Sequence, residues 1–286
     1  MARFCKDILR SLVVRFVHLT YMDLQLSGKL ALVTGSTAGI GYAIAESLAM
    51  EGARVIINGR TQGRVDAALA KLGSGVKARS QAVGLAADLG SSSGAAEAIA
   101  RFPQVDILVN NLGIFEPKVF EAITDDDWFR MFEVNVLSGV RLSRHYLPRM
   151  KDQGWGRIIF LSSESAIQIP AEMIHYGMTK TAQLAISRGL AETTAGTGVT
   201  VNSVLPGPTA SEGVGNFVEQ LAKEQGTDRT MIEREFFRTI RPTSLLRRFA
   251  TPQEVAALVT FVASPLSAAT NGAALRADGG VVRSIV

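Results

Sequence analysis

Several short segments of the chain contain apolar residues at consecutive positions, and this pattern constrains the fold more than any other feature. Examples are LALVTG (residues 30–35), VDILVNN (105–111) and GRIIFLSS (156–163). A strand that is apolar on both faces is typical of a parallel sheet covered by helices on both sides. Because these segments alternate with helical patterns, the sequence predicts an α/β fold with a doubly wound parallel sheet.

The same alternation predicts about seven strands and six helices. The predicted strands are Lys29–Thr34, Arg54–Asn58, Arg79–Leu85, Asp106–Asn110, Arg157–Leu161, Thr200–Leu205 and Ala273–Arg276. The predicted helices are Ile40–Glu51, Gly63–Leu72, Ser92–Arg101, Asp126–Met150, Met173–Thr194 and Pro252–Ala263. We expect residues 22–286 to form a single domain. The charged segment at about residues 209–249 follows the sixth strand and is expected to be a helical substrate lid, with a surface helical hairpin as the alternative.

Residues 1–21 differ from the rest of the chain in charge and pattern. Four basic residues against Asp7 give this segment a net charge of +3, and the whole chain carries +4. The body is therefore near neutral, and we expect no nucleic-acid-binding face. The segment is interpreted as an N-terminal extension ahead of a natural start at Met22; an organelle-targeting segment is the alternative.

Cysteine and histidine are scarce, which excludes several kinds of site. Cys5 is the single cysteine, so neither an internal disulfide nor a cysteine metal cluster can form, and a reducing, cytoplasmic location is expected. His18 and His145 are isolated in the sequence, and no metal site is predicted. No run of about 18 apolar residues occurs, so no membrane span is expected.

A glycine-rich loop, TGSTAGIG at residues 34–41, joins the first predicted strand to the first predicted helix. Glycines at 35, 39 and 41 permit a tight turn and the close approach of a pyrophosphate. The helix that follows adds free N–H groups and the positive end of its dipole. The loop therefore predicts a Rossmann-type nucleotide-binding site.

Tyr176 and Lys180 lie four residues apart in IHYGMTKT, within a predicted helix. At this spacing the two side chains share a helical face. A neighbouring ammonium favours the phenolate and lowers the pKa of a tyrosine, which then becomes a usable proton donor and acceptor. The alternative is a half-buried tyrosine beside a surface lysine.

The glycine spacing, Gly-x3-Gly-x-Gly, together with this Tyr–Lys pair resembles the short-chain dehydrogenase/reductase family over nearly all of residues 28–280. Ser163 precedes Tyr176 by thirteen residues, as in the family, and Asn135 in FEVNVLSG matches a fourth active-site residue. The segment NNLG at 110–113 resembles the family's NNAG, with Leu112 in place of the usual alanine.

The resemblance implies an oxidoreductase that interconverts a carbonyl and an alcohol of a small molecule by hydride transfer. Ser163 would hydrogen-bond the substrate carbonyl oxygen, and Tyr176 would protonate it. Lys180 would lower the pKa of Tyr176 and hold the nicotinamide ribose, while Asn135 would anchor a water that links Lys180 to solvent. His175 is interpreted as a packing residue or a contact with a neighbouring subunit.

The resemblance also implies a set of cofactor contacts. They are Gly35, Ser36, Thr37, Gly39, Ile40, Gly41, Arg60, Asp88, Leu89, Asn111, Gly113, Tyr176, Lys180, Pro206, Gly207, Thr209 and Ser211. At the end of the second strand, where NAD enzymes carry an acidic residue, this chain has Gly59 followed by Arg60. Because an arginine can pair with a 2′-phosphate, NADP(H) is favoured over NAD(H).

Two other functions stay open at this point. One is reduction of 3-oxoacyl thioesters such as those on acyl carrier protein, although the near-neutral body offers no basic docking patch. The other, of a different class, is a non-catalytic NADP(H)-binding sensor or scaffold. The resemblance further implies a homotetramer, or a homodimer, formed through the helices predicted at 126–150 and 173–194. Glu164 and Glu172 flank the expected substrate loop and are either substrate contacts or a solvated loop edge.

Overall fold

The computed structural model describes residues 22–73, 82–224 and 226–285. Its strands are β1 Leu30–Val33, β2 Arg54–Gly59, β3 Ala82–Ala86, β4 Ile107–Asn110, β5 Gly156–Leu161, β6 Val199–Pro206 and β7 Ala274–Ala277. Its α-helices are α1 Gly39–Met50, α2 Gln62–Leu72, α3 Ser92–Arg101, α4 Asp125–Phe132, α5 Ser138–Asp152, α6 Ile174–Glu192, α7 Glu212–Glu224, α8 Arg229–Thr239 and α9 Pro252–Ala263. The predicted N-terminal extension at 1–21 lies outside the described residues.

The seven strands form one parallel sheet in the order β3-β2-β1-β4-β5-β6-β7. The order reverses between β1 and β4, so the carboxyl ends of these neighbouring strands lead into helices on opposite faces. A crevice opens at such a switch point, and ligands of open α/β sheets bind there. The predicted doubly wound parallel sheet is confirmed.

Two apolar clusters cover the two faces of the sheet, and β1 contributes to both. Ala31 and Val33 face the cluster beneath α1 and α9, whereas Leu32 faces the cluster beneath α3, α5 and α6. All three side chains are fully buried. Because successive strand residues point to opposite faces, a strand between two helical layers must be apolar at every position. Each such buried leucine or valine stabilises the fold by about 1.5–3 kcal/mol.

Two predicted elements differ from the observed ones. The helix predicted at Asp126–Met150 is interrupted: α4 and α5 are separated by a π-helical turn, Glu133–Leu137. Apolar periodicity does not reveal a turn widened by one residue, and such turns occur often at functional sites. The strand predicted at Arg79–Leu85 is β3, Ala82–Ala86, and its predicted first part lies outside the described residues.

Residues 209–249 contain α7 and α8, as the sequence predicted for this segment. The two helices pack on each other through Val218, Ala222, Ile232 and Phe237, and Phe249 closes this cluster. Asp228 caps α8 by accepting a hydrogen bond from Met231 N at 2.9 Å. The segment therefore has a small apolar core of its own, and it lies beyond the carboxyl end of β6.

The opposite, amino-terminal edge of the sheet carries Trp155, immediately before β5. Its ring lies between two cations, with Lys29 Nζ at 3.9 Å and the Arg157 guanidinium at 4.6 Å from the centroid. Within the described residues, none of the helices is both long and apolar enough to cross a membrane.

Candidate active site

The glycine loop after β1 is held in shape by Asn111, from the end of β4. Asn111 Nδ2 donates to Thr34 O at 2.8 Å and to Gly35 O at 3.1 Å. Gly35 and Gly39 have φ values of +61° and +56°, which favour glycine. α1 begins at Gly39, and its N-cap, Ala38, offers no side-chain hydrogen bond. The first N–H groups of α1 are therefore available to an anion, as a pyrophosphate site requires.

Two predicted cofactor contacts turn inward instead. Ser36 is fully buried; its hydroxyl donates to Val33 O at 2.7 Å and accepts from Asn58 N at 2.9 Å. Leu89 is also buried and packs in the core beneath α3. The side chains of Ser36 and Leu89 thus support the loops from behind rather than face a ligand, because the turn directs them into the interior.

The end of β2 has no room for a side chain at Gly59. A Cβ there would lie 2.5 Å from Thr37 Cγ2 and 3.3 Å from Val65 Cγ2. An acidic residue of the kind that binds a ribose 2′-OH cannot be accommodated without displacing Thr37. The exposed Arg60 follows directly. Across the crevice, Asp88 is exposed and its Oδ1 accepts from Gly90 N at 3.1 Å.

Leu112, the departure from the usual alanine, packs against the core and toward the glycine loop. Its backbone N donates to Thr34 Oγ1 at 2.8 Å, and its Cδ1 would lie 3.4 Å from a Cβ at Gly35. The larger side chain therefore fills space beneath the loop and does not line the adjoining cavity.

A cavity of about 620 Å³ opens at the carboxyl ends of β1, β4, β5 and β6. The predicted site residues on its wall are Ile40, Asn111, Gly113, Ser163, Tyr176, Lys180, Pro206, Gly207, Thr209 and Ser211. The outer wall is mostly apolar and comes from residues 209–249, including Val218, Ile232 and Phe236. The remaining predicted residues lie along the adjoining nucleotide crevice or, like Asn135, behind the wall.

Tyr176 and Lys180 lie one turn apart on α6, with Lys180 Nζ 5.6 Å from the centre of the Tyr176 ring. Lys180 is buried, and its Nζ donates to Leu161 O at 2.8 Å and to Gln183 Oε1 at 3.3 Å. The Phe115 ring packs edge-on against Tyr176, with the ring centroids 6.3 Å apart. The Ser163 side chain lies on the same cavity wall and acts on Tyr176. The Ser163–Tyr176 pair therefore forms a polar end to a largely apolar cavity.

The sequence predicted that the pKa of Tyr176 would be lowered by Lys180, but in the structure the pKa of Tyr176 is raised. Burial raises the pKa of Tyr176, with the Glu164 carboxylate adding to the rise, whereas the nearby Ser163 side chain and the charge of Arg241 lower it. Burial also lowers the pKa of Lys180 from 10.5 to about 7. Burial thus disfavours the charged form of Lys180 and weakens it as an electrostatic partner of Tyr176. Tyr176 is thus protonated at neutral pH and suited to donate a proton.

Asn135 lies in the π-helical turn and is buried behind the cavity wall. Its Nδ2 donates to Ile114 O at 2.9 Å, and its Oδ1 accepts from Ile114 N at 2.7 Å, which fixes the loop after β4. Its carbonyl oxygen accepts from Gln183 Nε2 at 2.5 Å. Since Gln183 Oε1 accepts from Lys180, the Gln183 side-chain amide bridges Asn135 and Lys180.

The Ser163 hydroxyl, at the end of β5, donates to Glu164 Oε2 at 2.5 Å. Glu164 is buried and its Oε1 accepts from Arg241 Nε at 3.0 Å. Of the neighbouring serines, Ser162 donates to Lys180 O at 2.8 Å and is thereby engaged with α6. Ser163 is the serine whose side chain acts on the pKa of Tyr176.

His175 is fully buried on the side of α6 that packs against α4. Its ring meets Trp128 edge-on, with centroids 5.9 Å apart, and neither ring nitrogen has a hydrogen-bond partner within the described part of the chain. Burial lowers its pKa, so the imidazole is neutral. The geometry agrees with a packing role and separates His175 from the cavity.

Gln183 and Arg241 were not identified from the sequence. Gln183 follows Lys180 by three residues, and this helical spacing could have indicated a contact. Arg241 reaches Glu164 across 77 positions of the chain, and no local pattern marks such a contact.

Among the described residues, no group of three or more metal-ligating side chains is found.

Replacing Lys180 by methionine should change how stability depends on pH. Because the pKa of Lys180 falls from 10.5 to about 7 on folding, the unfolded chain binds more protons between these pH values, and wild-type stability rises with pH. The free energy of unfolding of Lys180→Met, relative to that of wild type, should therefore increase by about 3 kcal/mol when the pH is lowered from 9.5 to 7. Urea unfolding at both pH values measures the shift, and Lys223→Met, at an exposed position, is the control. A difference that does not vary with pH would contradict a depressed lysine pKa.

Comparison with known proteins adds independent evidence. The profile of the short chain dehydrogenase family matches residues 29–222. The uncharacterized oxidoreductase YvaG of Bacillus subtilis is 53% identical over 264 residues, 92% of this chain and 100% of that protein. The D-beta-hydroxybutyrate dehydrogenase of Cupriavidus necator is 36% identical over 267 residues, 90% of this chain and 99% of that protein.

A solved structure is similar as well. L-sorbose reductase from Gluconobacter frateurii, complexed with NADPH and L-sorbose, has a TM-score of 0.85 and 30% identity, covering 92% of this chain and 100% of that one. The family profile spans more than half of the chain, and the relatives align over nearly their full length. The chain is therefore an oxidoreductase that belongs to the short-chain dehydrogenase/reductase family.

Proposed function

We propose that this protein interconverts a ketone or aldehyde and the corresponding alcohol, using NADP(H). The observation that carries the proposal is that Ser163, Tyr176 and Lys180 line the polar end of one cavity, with Lys180 one turn from Tyr176. A reacting oxygen next to both hydroxyl groups would lie beside a proton donor and beside the carboxyl ends of the strands, where a dinucleotide binds.

Each residue of the site has a separate role in the proposed reaction. A bound nicotinamide supplies the hydride. Tyr176 gives its proton to the substrate oxygen, and its raised pKa keeps that proton in place until negative charge develops there. Ser163 hydrogen-bonds the same oxygen. Lys180, on the cavity wall, would hold the nicotinamide ribose, and Gln183 and Asn135 fix the position of Lys180.

The choice of NADP(H) is supported by the end of β2. Thr37 and Val65 fill the space that a side chain at position 59 would need, and Arg60 supplies a positive charge next to it. The similar L-sorbose reductase was solved with NADPH. A guanidinium can bind a 2′-phosphate through charge-assisted hydrogen bonds, which a 2′-OH cannot reciprocate as strongly.

Replacing Arg60 by glutamate should reverse the cofactor preference. A carboxylate there would repel the 2′-phosphate, so we expect the Kd for NADPH to rise about 10- to 100-fold with little change for NADH. Fluorescence titration of both cofactors gives the ratio. Arg54→Glu, at the exposed amino end of the same strand, is the matched control and should leave the ratio unchanged. An unchanged ratio in Arg60→Glu would reject Arg60 as the selectivity residue.

The proposed reaction is tested with purified protein and a panel of carbonyl compounds. NADPH oxidation is followed with 4-nitrobenzaldehyde, cyclohexanone, L-sorbose, acetoacetate and acetoacetyl-coenzyme A. Turnover of free ketones or aldehydes supports the proposal, and turnover restricted to the thioester would support acyl-thioester reduction instead. Tight NADPH binding without any turnover on a broadened panel would favour the non-catalytic sensor.

We also infer that the protein acts in the cytoplasm as a homotetramer formed through α4, α5 and α6. Large apolar side chains are exposed on and beside α4, among them Phe129, Phe132 and Phe120. Covering such a surface in an assembly would remove it from water. Sedimentation equilibrium tests the assembly; a monomer at micromolar concentration would reject it.

A further inference from the structure

The hydroxyl proton of Ser163 is already donated in a hydrogen bond to Glu164. Ser163 Oγ donates to Glu164 Oε2 at 2.5 Å and accepts from Ser165 N at 3.1 Å. A serine hydroxyl has a single proton. Ser163 can therefore donate to a substrate carbonyl oxygen only when Glu164 releases that proton. Glu164 and the substrate thus compete for the same donor.

How strongly Glu164 competes depends on its own partners. Its side chain is 6% exposed, and Oε2 also accepts from Ser165 N at 2.9 Å. Its other oxygen, Oε1, accepts from Arg241 Nε at 3.0 Å. A buried carboxylate without a cation concentrates its charge on the remaining hydrogen bonds and strengthens them. Arg241 draws part of that charge away from the oxygen that holds Ser163.

Arg241 reaches this position from the segment over the cavity. It follows α8, its side chain is 10% exposed, and it lines the cavity wall. Nη1 donates to Ile240 O at 3.0 Å, which anchors the guanidinium to its own segment, and lies 3.5 Å from Glu172 Oε1. Residues 209–249 are thus joined by one buried ion pair to the residue beside Ser163.

We propose that Arg241 is a positioning residue that weakens the hold of Glu164 on the Ser163 proton, so that Ser163 can donate it to the substrate oxygen. This inference rests on the proposed carbonyl reduction. The charges at Tyr176 have the matching signs, since Glu164 raises its pKa and Arg241 lowers it. With Arg241 in place, both hydroxyl groups are better donors to the same oxygen.

A double-mutant cycle tests this role. Arg241→Met should lower kcat for reduction of the best carbonyl of the panel about 10- to 100-fold, the worth of one charge-assisted hydrogen bond, with the Kd for NADPH unchanged. Glu164→Gln removes the competing charge, so its kcat should stay within about threefold of wild type even if its thermal stability falls. In the Glu164→Gln background, Arg241→Met should then lower kcat by less than about threefold.

The matched control is Arg248→Met, the same substitution at the exposed Arg248–Glu254 ion pair, which should leave kcat unchanged. A purely structural ion pair predicts a different pattern, in which Glu164→Gln lowers kcat as much as Arg241→Met does. That pattern, or independent multiplication of the two effects in the double variant, would overturn the proposal.

A second measurement needs no substrate and separates this inference from the proposed function. Infrared difference spectra between each protein and its Ser163→Ala variant isolate the effect of the Ser163 bond on the Glu164 carboxylate. That effect should be larger in Arg241→Met than with Arg241 present. If the effect is equal in both, Arg241 does not tune the bond; if no carbonyl turns over but the effect grows, only the proposed function fails.

Discussion

Tyr176→Phe should abolish nearly all turnover while NADPH still binds. The substitution removes one oxygen and leaves the ring, so the packing against Phe115 is kept. Without the phenol the substrate oxygen loses the group that transfers a proton to it, because Ser163 supplies only a hydrogen bond to that oxygen. Loss of a general acid costs about 10²- to 10⁴-fold in kcat. Single-turnover NADPH oxidation measures the chemical step, and fluorescence titration measures the Kd.

Tyr146→Phe is the matched control for this substitution. Tyr146 is fully buried on α5 and its hydroxyl donates to Phe102 O at 2.8 Å, away from the cavity. Its loss should cost about 1 kcal/mol of stability and leave kcat unchanged. Turnover in Tyr176→Phe within tenfold of wild type would refute the proton-donor role.

Gly41→Ala should damage both the cofactor site and the fold. A Cβ at Gly41 would lie 2.5 Å from Gly35 O and 3.1 Å from Ser36 Cα, and would collide with Asn111 Nδ2. The two hydrogen bonds by which Asn111 holds the glycine loop could then not persist. Overpacking of this kind costs about 1–3 kcal/mol. We expect a corresponding loss in unfolding free energy and a Kd for NADPH at least about tenfold higher.

The comparison for that variant is Gly189→Ala, in α6. A Cβ at Gly189 meets no atom within 4 Å, and the residue is exposed and helical. Alanine there should raise stability by up to about 1 kcal/mol and leave the Kd for NADPH unchanged. Urea unfolding gives the free energy of unfolding of both variants, and NADPH titration gives their Kd. Together they distinguish a glycine that is required by close packing from one that is not. Equal behaviour of the two variants would show that Gly41 is not needed for close approach.

The sheet could be predicted from the sequence because its strands are buried on both faces. Leu30–Val33 and the first three residues of Ile107–Asn110 are continuously apolar, as strands of a parallel sheet between two helical layers must be. The π-helical turn Glu133–Leu137 could not be predicted, since an extra residue in one turn barely changes apolar periodicity. Helix boundaries are set by packing as much as by local signals.

In the site, contacts between residues close in sequence could be predicted, whereas contacts between residues far apart in sequence could not. Tyr176 and Lys180 share a helix, so their spacing alone places them together. The predicted direction of the Tyr176 pKa shift was wrong, because burial raises this pKa and the spacing of two residues in the sequence does not reveal how deeply they are buried. The Glu164–Arg241 pair depends on how residues 209–249 fold back over the sheet, which no local pattern encodes.

The two tryptophans of the chain, Trp128 and Trp155, have different neighbours, and their intrinsic fluorescence can report on ligand binding. Trp128 touches His175, the neighbour of Tyr176, so its emission should respond when the cavity fills. Trp155, between Lys29 and Arg157, is separated from the cavity by the length of β5, about 20 Å. Ligand binding can thus be followed without a label, even before a substrate is known.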